Sequence, residues 1–200
     1  MRELGIVWIV YIMSAATLTF VNSVVSPVSS RVLDSSKKEY VKPSKNDLLV
    51  SIHKMEDSLL TNLPKNPTER NLASYELIDN YLQYFRNYPN DSYAAECLDR
   101  VQMIYTGLNL PKRAVVYADS LLQEYPNYNN RKLVLENQAS TYDMFILPRD
   151  TIKVRYYYER ILDEFPNESK VYLDDIKFRL KNLKLTIPEL IEIRSKSTIQ

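Results

Sequence analysis

Reactive chemistry in this 200-residue chain would have to be assembled from a short inventory of side chains. His53 is the single histidine and Cys97 the single cysteine. A metal site or a catalytic imidazole needs partners at ligand spacing. His53 has no second histidine, no cysteine cluster and no acidic pattern beside it, and it reads as a surface or partly packed side chain. Cys97 falls on the apolar stripe Ala94, Cys97, Leu98, Val101, Ile104 and Tyr105, which makes it a small buried hydrophobe rather than a nucleophile. With no second cysteine there is no intrachain disulfide framework.

The tandem acids Asp174 and Asp175 point to different sides of a helix, because adjacent helical positions do not meet. They suit a solvated surface or a helix start better than a metal. A phosphate-cradling glycine loop, a paired Cys or His set and a serine in a sharp glycine-flanked turn are all missing. An enzyme here would need Asp and Glu side chains alone, brought together by the fold. The expectation is therefore a protein that is not an enzyme and that uses no cofactor and no metal. The sixteen tyrosines leave two readings open. They pack between helices with their hydroxyls at the rim, or some of them form a peptide-binding surface, since Tyr gives large contact area at low ordering cost.

The elements that must position these residues are helices. Three segments end alike: Tyr84-Phe85-Arg86-Asn87-Tyr88-Pro89-Asn90, Leu121-Leu122-Gln123-Glu124-Tyr125-Pro126-Asn127 and Ile161-Leu162-Asp163-Glu164-Phe165-Pro166-Asn167. The three prolines stand 37 and 40 residues apart. A repeat of that length is one helical hairpin, which cannot bury its apolar face alone, so neighbours must stack. Leu98 and Leu135 both lie nine residues after a repeat proline, and Tyr105 and Tyr142 both lie sixteen after one. The first helices therefore align without gaps, and the three extra residues of the longer spacing fall at the Phe145–Asp150 corner.

Apolar residues at helical spacing predict a helix over 48–63 (Leu48, Ile52, Met55, Leu59, Leu63), stopped by Pro64 and Pro67. A second runs from a Thr68 cap with Leu72, Tyr75, Ile78, Leu82 and Phe85 on its face, broadened by Tyr81, Tyr84 and Tyr88. A third starts at a Ser92 cap, and a fourth at Pro111, where a missing N–H costs nothing. The fourth carries Ala114, Val115, Ala118, Leu121, Leu122 and Tyr125; its two alanines allow close helix approach. A fifth begins at Asn129 or Asn130 with Leu133, Leu135, Ala139, Tyr142 and Ile146. A sixth, capped by Asp150 or Thr151, carries Val154, Tyr157, Tyr158, Ile161, Leu162 and Phe165. Another spans 170–183 with Val171, Leu173, Ile176, Phe178 and Leu180, and Pro188 opens a last short one with Leu190, Ile191 and Ile193.

Ahead of the helices, residues 4–26 contain no charge. They are long enough to cross a bilayer and also have the small polar end of a secretory signal, so residues 1–26 read as a transmembrane anchor or a cleaved signal peptide. Residues 27–47, with Pro27, Pro43 and many serines, read as a flexible linker, and 48–200 as the repeat domain. The signal-like start places the domain outside the cytoplasm. The formal net charge of +1, with no useful basic run, gives no reason to expect nucleic acid.

The pattern resembles the tetratricopeptide repeat. Ala114 matches the family's small residue early in the second helix, Pro89, Pro126 and Pro166 its terminal proline, Tyr105 and Tyr142 its aromatic near the end of the first helix, and Ala139 its small residue where the two helices cross. Gln102 departs at the crossing, Leu77 and Val154 depart at the small second-helix position, and the last copy carries Asp175 and Asn182 where Leu98 and Tyr105 would predict an apolar residue and an aromatic. The resemblance covers roughly Leu48 to Leu183. It implies an all-α, right-handed solenoid of antiparallel hairpins. The Tyr-Pro-Asn endings are similar to those of periplasmic repeat proteins of bacterial envelope assembly, without the lipid-attachment cysteine some of them carry. The implied role is a scaffold at the cell envelope, docking a protein or peptide, with a structural subunit of a membrane complex as the alternative. Stacked hairpins present their first helices on a concave face. The polar or adaptable residues expected there, as the partner groove, are Asp99, Gln102, Met103, Thr106, Asn137, Gln138 and Thr141.

Overall fold

The computed structural model describes residues 42–62 and 64–197, and the uncharged segment 4–26 lies outside the described residues. The described chain folds into eight helices: α1 Lys45–Thr61, α2 Pro67–Asn87, α3 Ser92–Gly107, α4 Pro111–Glu124, α5 Arg131–Met144, α6 Thr151–Glu164, α7 Lys170–Lys181 and α8 Ile187–Ser197. Among the described residues, no helix is long and apolar enough to cross a membrane.

The helix starts follow from local chemistry, with three departures from expectation. Ser44 caps α1 through Asp47 N (3.1 Å), so this helix begins at Lys45, inside the stretch read as linker. Asn66 rather than Thr68 caps α2, because Pro67 already occupies the first helical position and the Asn66 side chain accepts from Thr68 N. Asp91 rather than Ser92 caps α3, accepting from Tyr93 N (3.0 Å). Pro111 opens α4 and Asp150 caps α6 through Ile152 N and Lys153 N, as the residue pattern predicts. The α3–α4 turn closes with Asn109 in the left-handed region (φ 57°), a conformation asparagine tolerates better than most residues. The α5–α6 corner, 145–150, is the longer one.

The helices pair as antiparallel hairpins. Contacts are densest within α3–α4 and α5–α6; α2 and α1 continue the stack on one side and α7 on the other, while α4–α5 and α6–α7 touch more lightly. Hydrogen bonds between side chains and their counterparts one repeat away show the stacking directly. Residue pairs 36 apart are joined at Tyr125 to the Pro89 carbonyl (2.6 Å), Lys132 to Glu168 (2.7 Å), Tyr172 to Glu136, Arg179 to Asp143 and Arg149 to the Leu185 carbonyl (3.0 Å). Such bonds, near the repeat spacing, require each hairpin to sit beside the next.

One contiguous core runs through the stack, from Leu48 and Ile52 through Leu98, Leu121 and Leu135 to Ile161 and Ile176. Leu98, Ala114, Leu135 and Ala139 are fully buried in it, Tyr105 is buried and Tyr142 half-buried. Pro126 and Pro166 are exposed, at the ends of the helices they stop. Several expected stripe residues turn outward: Leu72, Tyr75, Leu133 and Val171 are exposed, while Leu77, Tyr81, Tyr84 and Val134 take core places. A helix inside a stack is contacted on both sides. Its buried arc is wide, and a single apolar stripe understates it.

Candidate functional site

Placing the expected partner residues on this frame divides them. Gln102, Gln138 and Thr141 are buried, so they serve the inside of the stack rather than a groove. Gln138 Nε2 donates to the Val115 carbonyl (3.1 Å) and to Asp119 Oδ1 (2.7 Å), bridging α5 to α4. Gln102 donates to Asp99 Oδ1 (2.9 Å), and Tyr128 donates to the other carboxylate oxygen of Asp99 (2.7 Å). Thr106 is half-buried and donates to the Gln102 carbonyl. Met103 and Asn137 are exposed. Of the seven expected residues, two are therefore open and two more are engaged in internal hydrogen bonds.

The residues singled out for chemistry stand apart from one another. His53 is exposed and lies 3.0 Å from Glu56 of its own helix. Cys97 is fully buried, and burial pushes its thiol well above the usual range, which removes the thiolate that a nucleophile needs. Asp174 and Asp175 are both exposed on α7. Among the described residues, no group of three or more His, Cys, Asp or Glu is placed to hold a metal.

The tyrosines show the repeat most clearly. Tyr105 stacks on Tyr117 (centroids 5.4 Å, interplanar 10°), and Tyr142 stacks on Tyr157 (5.7 Å, 15°). Tyr117 and Tyr157 each lie nine residues before a repeat proline, so the two stacks are the same device in successive hairpins. Each stack also carries a cation from the first turn of the second helix: Arg113 lies 5.7 Å from the Tyr105 ring and Lys153 5.8 Å from the Tyr142 ring. A cation near a helix N-terminus opposes the macrodipole, and the aromatic face offsets that cost. Most tyrosines are thus packing residues; among the described ones, Tyr75 and Tyr156 are exposed.

Burial raises the phenols of Tyr81, Tyr84, Tyr93, Tyr128, Tyr157 and Tyr172 above their ordinary range, in five cases with an acceptor carboxylate adding to the effect. The unfolded phenols ionise near pH 10, so the stability these groups contribute is complete below that pH and is lost as pH rises above it. Alkaline titration is expected to release these six phenolates together with the loss of helical circular dichroism. Ionisation well before the helices melt would show that the phenols are accessible.

One site emerges on the other side of the hairpins, between α4 and α6. A groove of about 750 Å³ is lined by Asp119, Leu122, Gln123, Ile152, Lys153, Tyr156, Tyr157 and Arg160. At its floor Asp119 accepts from Tyr157 (2.5 Å) and from Gln138, so that carboxylate is committed internally. On its wall the exposed Tyr156 ring sits between two cations, Lys153 at 5.8 Å and Arg160 at 5.5 Å. Arg160 shares Glu164 with Arg131, two guanidiniums on one carboxylate. Burial pushes the Glu164 carboxyl up, but Arg131 and Arg160 outweigh it and hold it below the usual range. The trio keeps a surplus positive charge beside Lys153. The groove can therefore take a carboxylate next to an apolar side chain. Its sequence signal was present: Lys153, Tyr156 and Arg160 at spacings of three and four share one face of α6.

Fold and groove together define an all-α domain of stacked helical hairpins. Comparison with protein-family models, with curated proteins and with solved structures gives no match.

Proposed function

We propose that the chain is a non-catalytic, protein-binding scaffold of tetratricopeptide type, a right-handed solenoid acting at the bacterial cell envelope. The observation that carries the reading is Tyr156, exposed between Lys153 and Arg160 on the wall of the α4–α6 groove. An exposed aromatic set beside cations is the composition of an interface hot spot, and rigid stacked helices hold it in place. The occupant we propose is a partner segment with an acidic residue next to an apolar one: the acid between Lys153 and Arg160, the apolar side chain against Tyr156 and Ile152. The uncharged run 4–26 supports a periplasmic location, by anchor or by export.

Tyr156→Ala and Lys153→Glu test this in crosslinked capture from membranes. Tyr156→Ala is expected to weaken capture about thirtyfold, the effect of losing a hot-spot aromatic, with an unchanged melting temperature because the side chain is exposed. Full capture by both variants, with loss instead on Met103→Ala or Asn137→Ala, would move the docking face to the first helices. The second reading, a structural subunit held by its N-terminal segment, is favoured by that same uncharged run. It predicts that replacing residues 4–26 with an unrelated anchor abolishes function, whereas a docking scaffold survives the exchange.

A further inference from the structure

The α5–α6 corner is built unlike a solvent-exposed turn. Corners are usually polar, but here Met144, Phe145 and Leu147 are 44%, 55% and 77% exposed. Phe145 N and Ile146 N both donate to the Thr141 carbonyl and Asp150 N donates to the Tyr142 carbonyl, which closes the corner. The corner is also held from behind. Arg149 donates to buried Asp143 (2.5 Å) and to the Leu185 carbonyl of the neighbouring α7–α8 corner, which Arg179 also reaches. The apolar side chains thus stand exposed on a corner held from behind.

Charge is distributed along the helix axes in the same sense. At this end of the stack the four corner segments 62–67, 107–113, 145–153 and 181–189 hold seven Lys or Arg and two Asp or Glu. At the opposite end the segments 42–47, 87–93, 124–131 and 164–170 hold four and five. The chain as a whole is nearly neutral, so the asymmetry comes from how the antiparallel hairpins sort their ends.

We propose that this end of the stack seats on an anionic lipid bilayer, with Phe145 and Leu147 entering the interface and Lys112, Arg113, Lys153 and Lys184 meeting the headgroups. An exposed apolar corner at the cation-rich end of the stack has what interfacial binding to anionic lipid requires: apolar area to bury together with electrostatic attraction. A protein pocket would have to be concave to take the corner and acidic around its rim. The proposal shares Lys153 with the α4–α6 groove but does not rest on that groove being occupied.

The test uses the full chain, reconstituted through its own residues 4–26, with an environment-sensitive fluorophore on Leu147→Cys. The native Cys97 is fully buried and stays unlabelled. Asn127→Cys, exposed at the opposite end, is the control. In vesicles of equal parts phosphatidylglycerol and phosphatidylcholine, the label at 147 is expected to shift to the blue and to be quenched by brominated lipid, while the label at 127 does neither. In pure phosphatidylcholine, or at high salt, the response at 147 is expected to shrink. Phe145→Ser in the labelled chain lowers the ratio of lipid-protected to free label about tenfold. An unchanged label at 147 in anionic vesicles, or an equal response at 127, overturns the proposal; the first result would leave the corner to a protein contact.

Discussion

Asp143→Ala is expected to destabilise the domain by about 3–5 kcal/mol, the usual cost of removing one partner from a buried ion pair. The Asp143 side chain has no exposed surface and accepts from Arg149 and from Arg179, whose own side chain is 8% exposed. Both guanidiniums also donate to the Leu185 carbonyl. Without the carboxylate, two positive charges face each other behind the α5–α6 corner with one carbonyl between them. The cluster joins α5, the corner, α7 and the α7–α8 turn, so the loss falls first on the docking of α7. Hydrogen exchange should show α7 opening ahead of α3 and α4. Adding Arg179→Met to Asp143→Ala should recover part of the loss, because it removes the more deeply buried charge and Arg149 can turn to water. The measurement is the urea midpoint at constant slope. A cost for Asp143→Ala below about 1 kcal/mol would mean that the pair behaves as a surface salt bridge.

Leu98→Ala and Leu135→Ala are each expected to cost about 2–5 kcal/mol, whereas Leu133→Ala should stay within about 0.5 kcal/mol. Leu98 and Leu135 occupy equivalent repeat positions and both have no exposed surface. Each truncation leaves a cavity between helices whose backbones are held by neighbours on two sides, so collapse is limited. Leu133 lies on the stripe that periodicity predicts for α5, yet it is 53% exposed, and Val134 takes the core position. The three variants together measure which face of α5 is inside. Equal losses for Leu133 and Leu135 would turn the helix back to the face its periodicity suggests.

Much of the stack was legible before any coordinates. Pro111 at the start of α4, Asp150 at the cap of α6, and the extra residues at 145–150 all follow from chemistry within a few residues of the chain. The equivalence of Tyr105 with Tyr142 was also visible; their stacking partners Tyr117 and Tyr157, and the cations above them, were not paired until the hairpins closed. The expected docking residues fared differently. Gln102, Gln138 and Thr141 look like surface polarity beside an apolar stripe, and Gln138 in fact bridges α5 to α4 from within.

From its residues alone this chain determines where its helices stop and how often the hairpin recurs, because proline stops, caps and apolar period act over a few residues. It does not determine which polar side chains go inside, which side of the stack carries an open groove, or that Asp143 and Arg179 meet. Those were decided by tertiary structure. An inner helix is covered from two directions by neighbours a whole repeat away, and no short-range pattern encodes which of its faces they will reach.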